Sequence, residues 1–260
     1  MITAYHRPQT LDEALALLTQ PNTVPLGGGT LLSQPRPDSI EAVDLQSLGL
    51  DSINKKGTDP STRSGQVLEI GATATLQALL ESEHCPVALK TAIKLEAPIN
   101  IRNSATVAGT LVSGDGRSPF ATALLSLDAK LTLDRGPRTE DGFSSSVLGL
   151  GEFLPLRPRG LITSIAIPLN TKFAFEFVSR TPVDKPIICA ALTQWASGRT
   201  RLVLGGYGKS PMLAMDGTEA DGLEIAVSNA YHEATDEWAS AEYRMDVAAV
   251  LAKRCLEGLK

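Results

Sequence analysis

Two short stretches hold the residues best suited to chemistry. One is Gly27-Gly28-Gly29-Thr30, followed by Leu31 and Leu32. The other runs from Ile101-Arg102-Asn103-Ser104-Ala105-Thr106-Val107-Ala108-Gly109-Thr110-Leu111 into Ser113-Gly114-Asp115-Gly116-Arg117-Ser118-Pro119. Glycines remove Cβ atoms from a bend and let backbone approach a ligand closely. Several N–H groups aimed at one point, with Ser and Thr hydroxyls beside them, can hold the oxygens of a phosphate. An ordinary surface turn uses the same residues, and each stretch alone is compatible with both readings. The first is not a Walker loop, since no Gly-Lys-Ser/Thr follows, and it lacks GxGxxG spacing.

Other reactive side chains are scattered. Cys85, Cys189 and Cys255 are far apart and odd in number, and His6, His84 and His232 form no cluster. They predict no disulfide framework, no metal site and no catalytic residue. Arg157 and Arg159 flank Pro158 and could clamp a phosphate, or be solvated or hold a carboxylate of a neighbouring segment.

The elements that must position these residues follow from capping and periodicity. Thr10 to Leu18 has a cap, early acids and helical apolar spacing, and should end as a helix near Pro21. Short strands are expected at 23–26, 40–45 and 67–72, with a polar loop over 51–66. Helices are expected over 75–81 and 86–95, and an extended segment over 101–111. Ser118 reads as an N-cap and Pro119 as the first residue of an apolar helix reaching Leu127. A strand at 129–133, a turn at 135–138, an irregular stretch over 144–154 and a strand at 161–168 follow. From about residue 171 the pattern is strands first, at 172–178, 187–195 and 200–204, and then helices at 224–230 and 239–259. That order implies an α+β unit. Phe173, Phe175 and Phe177 read as one face of a half-buried strand.

The chain has 260 residues, enough for a substantial core in one or two domains. Its 43% hydrophobic and 20% charged content is that of a globular protein. A net charge of -5 argues against a nucleic-acid footprint. No stretch reaches the ~18 apolar residues of a membrane span, and the N-terminus lacks a signal-peptide core. Unpaired cysteines fit a reducing cytoplasm.

Five motifs, in order, resemble one family: the FAD-binding (medium) subunit of the molybdenum hydroxylases, as in carbon monoxide dehydrogenase and xanthine dehydrogenase-like complexes. Leu26 to Leu32 resembles its first FAD loop, Ala-Gly-Gly-Thr-Asp-Leu. Ile101-Arg102-Asn103 and Ala105 to Thr110 resemble its second. Ala123 to Ala129, Leu156 to Ile165 (the family's Leu-Arg-Pro-Gly-Glu-Leu-Leu-Thr-Glu-Ile) and Ser240-Ala241-Glu242-Tyr243-Arg244 complete the set. The resemblance covers nearly the whole chain. It implies an α+β fold: a two-subdomain FAD-binding domain of the PCMH type over 1–170 (about 1–55 and 56–170), then a C-terminal domain of sheet plus helices over 171–260.

The resemblance further implies FAD as cofactor, with its pyrophosphate on the two glycine loops. The site residues carried over are Leu26, Gly27, Gly28, Gly29, Thr30, Leu31, Leu32, Thr106, Val107, Ala108, Gly109 and Thr110. Asp115 would take part of the role of a family Asp, whose place Pro119 occupies, and Ile162 matches an FAD-adjacent leucine. The implied partners are an iron–sulfur small subunit and a molybdenum-cofactor large subunit, with NAD or another acceptor receiving the electrons. The chain departs from the pattern at Ala108 (usually Gly), Thr110 (usually Asn), Pro119 and near Gly151, where a tyrosine is common. Pro119 and the altered second loop motivate an alternative, a flavin-free subunit that keeps the fold and docks partners.

Overall fold

A computed structural model of the chain describes residues 1–35, 37–57, 65–136 and 145–260. The chain opens with β1 (Ile2–His6), α1 (Leu11–Leu18), β2 (Thr23–Leu26) and β3 (Ile40–Asp44). β3 lies between the other two strands and is parallel to both. The Thr10 hydroxyl accepts the Glu13 N–H at 3.2 Å and starts α1. Ala14 and Leu15 of that helix pack with Val43 and Leu45 in a small core of their own.

Next come β4 (Ile53–Lys56), β5 (Val67–Gly71), α2 (Leu76–Glu81), α3 (Val87–Glu96), α4 (Ile99–Arg102), α5 (Val107–Ser113) and α6 (Pro119–Ser126). β4 falls where a loop was expected and pairs with β5 at the sheet edge; residues 58–64 of that stretch lie outside the described residues. The expected extended run over 101–111 is instead helical at both ends. Val107 and Leu111, one turn apart in α5, are fully buried. Burying that pair outweighs the weaker preference of Thr and Val for extended backbone.

The chain continues through β6 (Lys130–Asp134), β7 (Ser145–Gly149), α7 (Leu150–Leu156) and β8 (Leu161–Pro168). Part of the turn expected at 135–138, and Ser144, lie outside the described residues. The stretch over 145–154 is regular rather than irregular. β7 completes an antiparallel sheet of order β4-β5-β8-β6-β7, and Glu152 starts α7 by accepting the Gly149 N–H at 3.0 Å.

β9 (Thr171–Val178), β10 (Ile188–Trp195), β11 (Thr200–Gly205) and β12 (Met212–Gly217) form an antiparallel sheet of order β12-β11-β10-β9, followed by α8 (Leu223–Tyr231) and α9 (Ala241–Gly258). β1 and β12 carry no clear sequence signal. β10 is covered on both faces, so it reads as a nearly continuous apolar run. Ile188, Ala190 and Leu192 pack with residues of α8 and α9. Cys189 and Ala191 point into the main core with Phe175. Phe173 and Phe177 pack against that same core.

α6 joins the two larger sheets. Every residue from Pro119 to Ser126 is buried, as expected of a helix enclosed on all sides. Ser118 caps it, accepting the Ala121 N–H at 3.0 Å and donating to Glu96 Oε2 at 2.6 Å. Glu96 also accepts the Phe120 N–H at 3.1 Å and is held by Lys185 Nζ at 2.7 Å. All three cysteines are buried and unpaired. Burial pushes the Cys189 and Cys255 thiols up to about 12, so neither is a ready nucleophile or ligand.

A backbone clasp adds to this join. Gly116 N–H donates to Gly208 O at 3.0 Å, and Gly206 N–H donates to Gly116 O at 2.7 Å. A Cβ on Gly116 would stand 1.9 Å from Tyr207 O. Gly116→Ala is therefore expected to lower unfolding stability by about 1–3 kcal/mol through overpacking. Urea denaturation of the two proteins measures it.

Candidate functional site

The end of β2 leads straight into Gly27-Gly28-Gly29-Thr30. Gly29 adopts φ +71°, in the left-handed region. Gly28 has a different reason to be glycine: a Cβ there would lie 1.5 Å from Ser104 O. A Cβ on Gly27 would lie 2.8 Å from Thr106 Oγ1. The first glycine loop is thus pressed onto the segment that precedes α5. Two stretches about 75 residues apart in sequence meet there by backbone contact.

That contact separates two hollows. The first is a cleft of ≈ 390 Å³ with a largely apolar wall that includes Leu32, Val112, Phe153 and Ile162. The second, of ≈ 440 Å³, is more polar and includes Gln46, Asp51, Asn103 and Ser104. Gly27, Gly28, Thr73 and Thr106 border both.

The two loops differ in what they can still donate. Among the described residues, no protein acceptor pairs with the N–H groups of Gly28, Gly29 or Thr30. At the start of α5 the N–H groups are taken. Val107 donates to Ala74 O at 2.8 Å, Ala108 to Ala72 O at 3.2 Å, and Gly109 to Thr106 Oγ1 at 3.2 Å. The second loop therefore offers side chains rather than backbone. Thr106 accepts through its oxygen and keeps its own hydroxyl proton to donate.

Of the residues singled out from the sequence, Gly27, Gly28, Gly29, Thr30, Leu31, Leu32, Thr106, Ala108, Gly109, Thr110 and Ile162 all line the apolar cleft. Leu26, Val107 and Asp115 do not. Val107 is fully buried in the core, and Asp115 is exposed, accepting the Arg117 N–H at 2.9 Å. Ala108 lies inside a right-handed helix, so the small residue there is unstrained. Pro119 is simply the first residue of α6. Ala72, Thr73, Phe153 and Arg157 also line the cleft. Ala72 and Thr73 had no spacing that could have marked them. Arg157 had a signal, its place beside Pro158.

The sequence profile of the family described as "FAD binding domain in molybdopterin dehydrogenase" matches residues 1–170. The chain belongs to that family. It is 29% identical to the carbon monoxide dehydrogenase medium chain of Afipia carboxidovorans, over 98% of this chain and 96% of that one. A crystal structure of the Cu,Mo-CO dehydrogenase in its cyanide-inactivated form superposes with a TM-score of 0.76 at 27% identity, covering 99% of this chain and 97% of its counterpart. Quinoline 2-oxidoreductase from Pseudomonas putida 86 shares the fold, with a TM-score of 0.75 at 18% identity over 98% and 96% of the two chains. The family named by five ordered motifs is thus the one whose profile matches residues 1–170, and its cofactor is FAD.

The cleft suits that cofactor. FAD is a long molecule with an anionic diphosphate between two flat ring systems. Unpaired N–H groups at a constriction, with a hollow on each side, match that distribution. Thr106 is the hinge of the arrangement, capping α5 while touching Gly27. Thr106→Ser is expected to keep the cap, whereas Thr106→Val loses it at about 1 kcal/mol. Urea denaturation reads the cap, and flavin uptake should fall in the Val variant alone.

Proposed function

We propose that the chain is the FAD-binding electron-transfer subunit of a molybdenum hydroxylase complex. It would stand between the iron–sulfur clusters of a small subunit and an acceptor such as NAD, with a molybdenum-cofactor large subunit acting on the substrate. In this reading residues of about 1–55 and 56–170 are the two subdomains that hold FAD, and 171–260 the C-terminal α+β domain packed against them. The observation that carries this reading is the Gly28–Thr30 loop. Its N–H groups have no acceptor among the described residues, at a point where a single Cβ would abolish the contact with Ser104.

FAD, when bound, supplies the exchange between one-electron and two-electron transfer. The chain supplies position. Gly28, Gly29 and Thr30 hold the diphosphate by backbone N–H groups. Thr106 adds a hydroxyl from the opposite side. Leu32, Phe153 and Ile162 shield a ring from water. Among the described residues that line the cleft none is a carboxylate, histidine or thiol, which supports a role in holding the cofactor and leaves the substrate to the large subunit. The alternative of a flavin-free docking subunit arose from Ala108, Thr110 and Pro119. Ala108 and Thr110 occupy ordinary positions of α5 and still line the cleft, which supports the flavin-bound reading over that alternative. Three unpaired thiols support a reducing cytoplasm as the setting.

Purified and supplied with FAD, the chain is expected to acquire a visible flavin spectrum at one flavin per chain. Mixed with its iron–sulfur and molybdenum partners, that spectrum should bleach on addition of the complex's reductant. A chain that binds no FAD sinks the reading outright. Flavin that binds but is not reduced through the partners removes the electron-transfer role.

A further inference from the structure

Arg157 ends α7 in a left-handed conformation, φ 42° and ψ 58°, immediately before a proline. A side chain other than glycine rarely adopts this backbone, and it persists where surroundings over-determine it. Here the surroundings are three carbonyls. The guanidinium donates from Nη2 to Gly114 O at 2.5 Å, from Nη1 to Val112 O, and from Nε to Leu154 O at 3.4 Å. Two of those oxygens belong to the carboxyl end of α5, where the helix dipole favours a cation. The group is therefore held in one place before any ligand arrives.

Arg157 lines the apolar cleft together with the Gly27–Leu32 loop, and it is the only ionisable side chain among the described residues that do so. No carboxylate among the described residues pairs with it. Three arginines of the C-terminal sheet and helices differ. Arg199 and Arg201 share Asp128 and Asp216, and Arg244 holds Asp236. Three of the five guanidinium N–H groups of Arg157 are spent on carbonyls, and two are left. A fixed cation that no carboxylate among the described residues balances, lining the same cleft as unpaired N–H groups, suits an anionic ligand.

We propose that Arg157 is an anion-binding residue of this cleft, and that its guanidinium neutralises a phosphate of the FAD diphosphate together with the N–H groups of the Gly28–Thr30 loop. The proposal rests on the reading that this cleft holds FAD. The carbonyl contacts make it a preorganised charge, so little side-chain freedom is lost when the ligand binds. Lysine would bring the charge but not the fixed fork.

The test compares the full chain with Arg157→Met and Arg157→Lys, first freed of flavin and checked for folding by circular dichroism and thermal unfolding. Dissociation constants are measured for FAD and for riboflavin, which lacks the diphosphate, at two salt concentrations. For Arg157→Met the FAD constant should rise by about tenfold or more, as for loss of a charge-assisted hydrogen bond. Its riboflavin constant should hardly change, and the salt dependence of FAD binding should flatten. Arg157→Lys should fall between, and it carries the comparison if the Met variant does not fold. FAD binding unchanged in both variants overturns the proposal. So does an equal loss for FAD and riboflavin, which would mean that Arg157 only shapes the cleft through α5. If the unchanged chain binds riboflavin but gains nothing from the diphosphate, Arg157 meets no phosphate. If it binds neither, the reading of the cleft as an FAD site falls first.

Discussion

Everything in the site depends on one close approach: the Cα of Gly28 against the carbonyl of Ser104. At that spacing no side chain fits. The contact brings the tip of the three-stranded sheet onto the entrance of α5, and it creates two hollows where there would otherwise be one open groove. Thr106 sits at the same point. It caps α5, closes on Gly27 and bridges to Thr75 at the start of α2. A single constriction thus serves folding and binding at once.

The division of labour between the two glycine-bearing stretches follows from their different surroundings. The first is a true loop with backbone donors left over. The second is the start of a short helix whose donors are consumed by the carbonyls of Ala72 and Ala74 and by the Thr106 hydroxyl. Seven residues make a marginal helix on their own. α5 is held instead at its front by these contacts, in its middle by Val107 and Leu111, and at its back by Arg157. The departures from the family pattern at Ala108 and Thr110 put no strain on the backbone, because both lie in helix with negative φ.

The C-terminal sheet and helices are tied to the rest through α6. Its apolar residues fill the space between two sheets, and the buried Glu96 is satisfied by Ser118, the Phe120 N–H and Lys185. A buried carboxylate with that many partners is stable only with all of them present. The Gly116 clasp lies two residues from Gly114, which Arg157 holds. The wall of the cleft and the seam to the C-terminal sheet are therefore neighbours along one loop.

The sequence by itself determined the family, the cofactor class, the capped helices and most strands. It could do so because caps, glycine bends and apolar periods are local, and the five motifs keep their order. Ser118 before Pro119, and Thr10 before an acidic first turn, are legible without any tertiary contact. What only the tertiary structure decided is which donors remain free and which charges remain unpaired. Val107 looked like part of a binding loop, but its side chain is core and its N–H belongs to Ala74. Asp115 looked like a replacement carboxylate, yet its loop turns toward Gly206 and Gly208 and away from the cleft. Arg157 could equally have held a carboxylate. Hydrogen-bond satisfaction depends on groups distant in sequence, so a local pattern can name a donor without saying whether it is already spent.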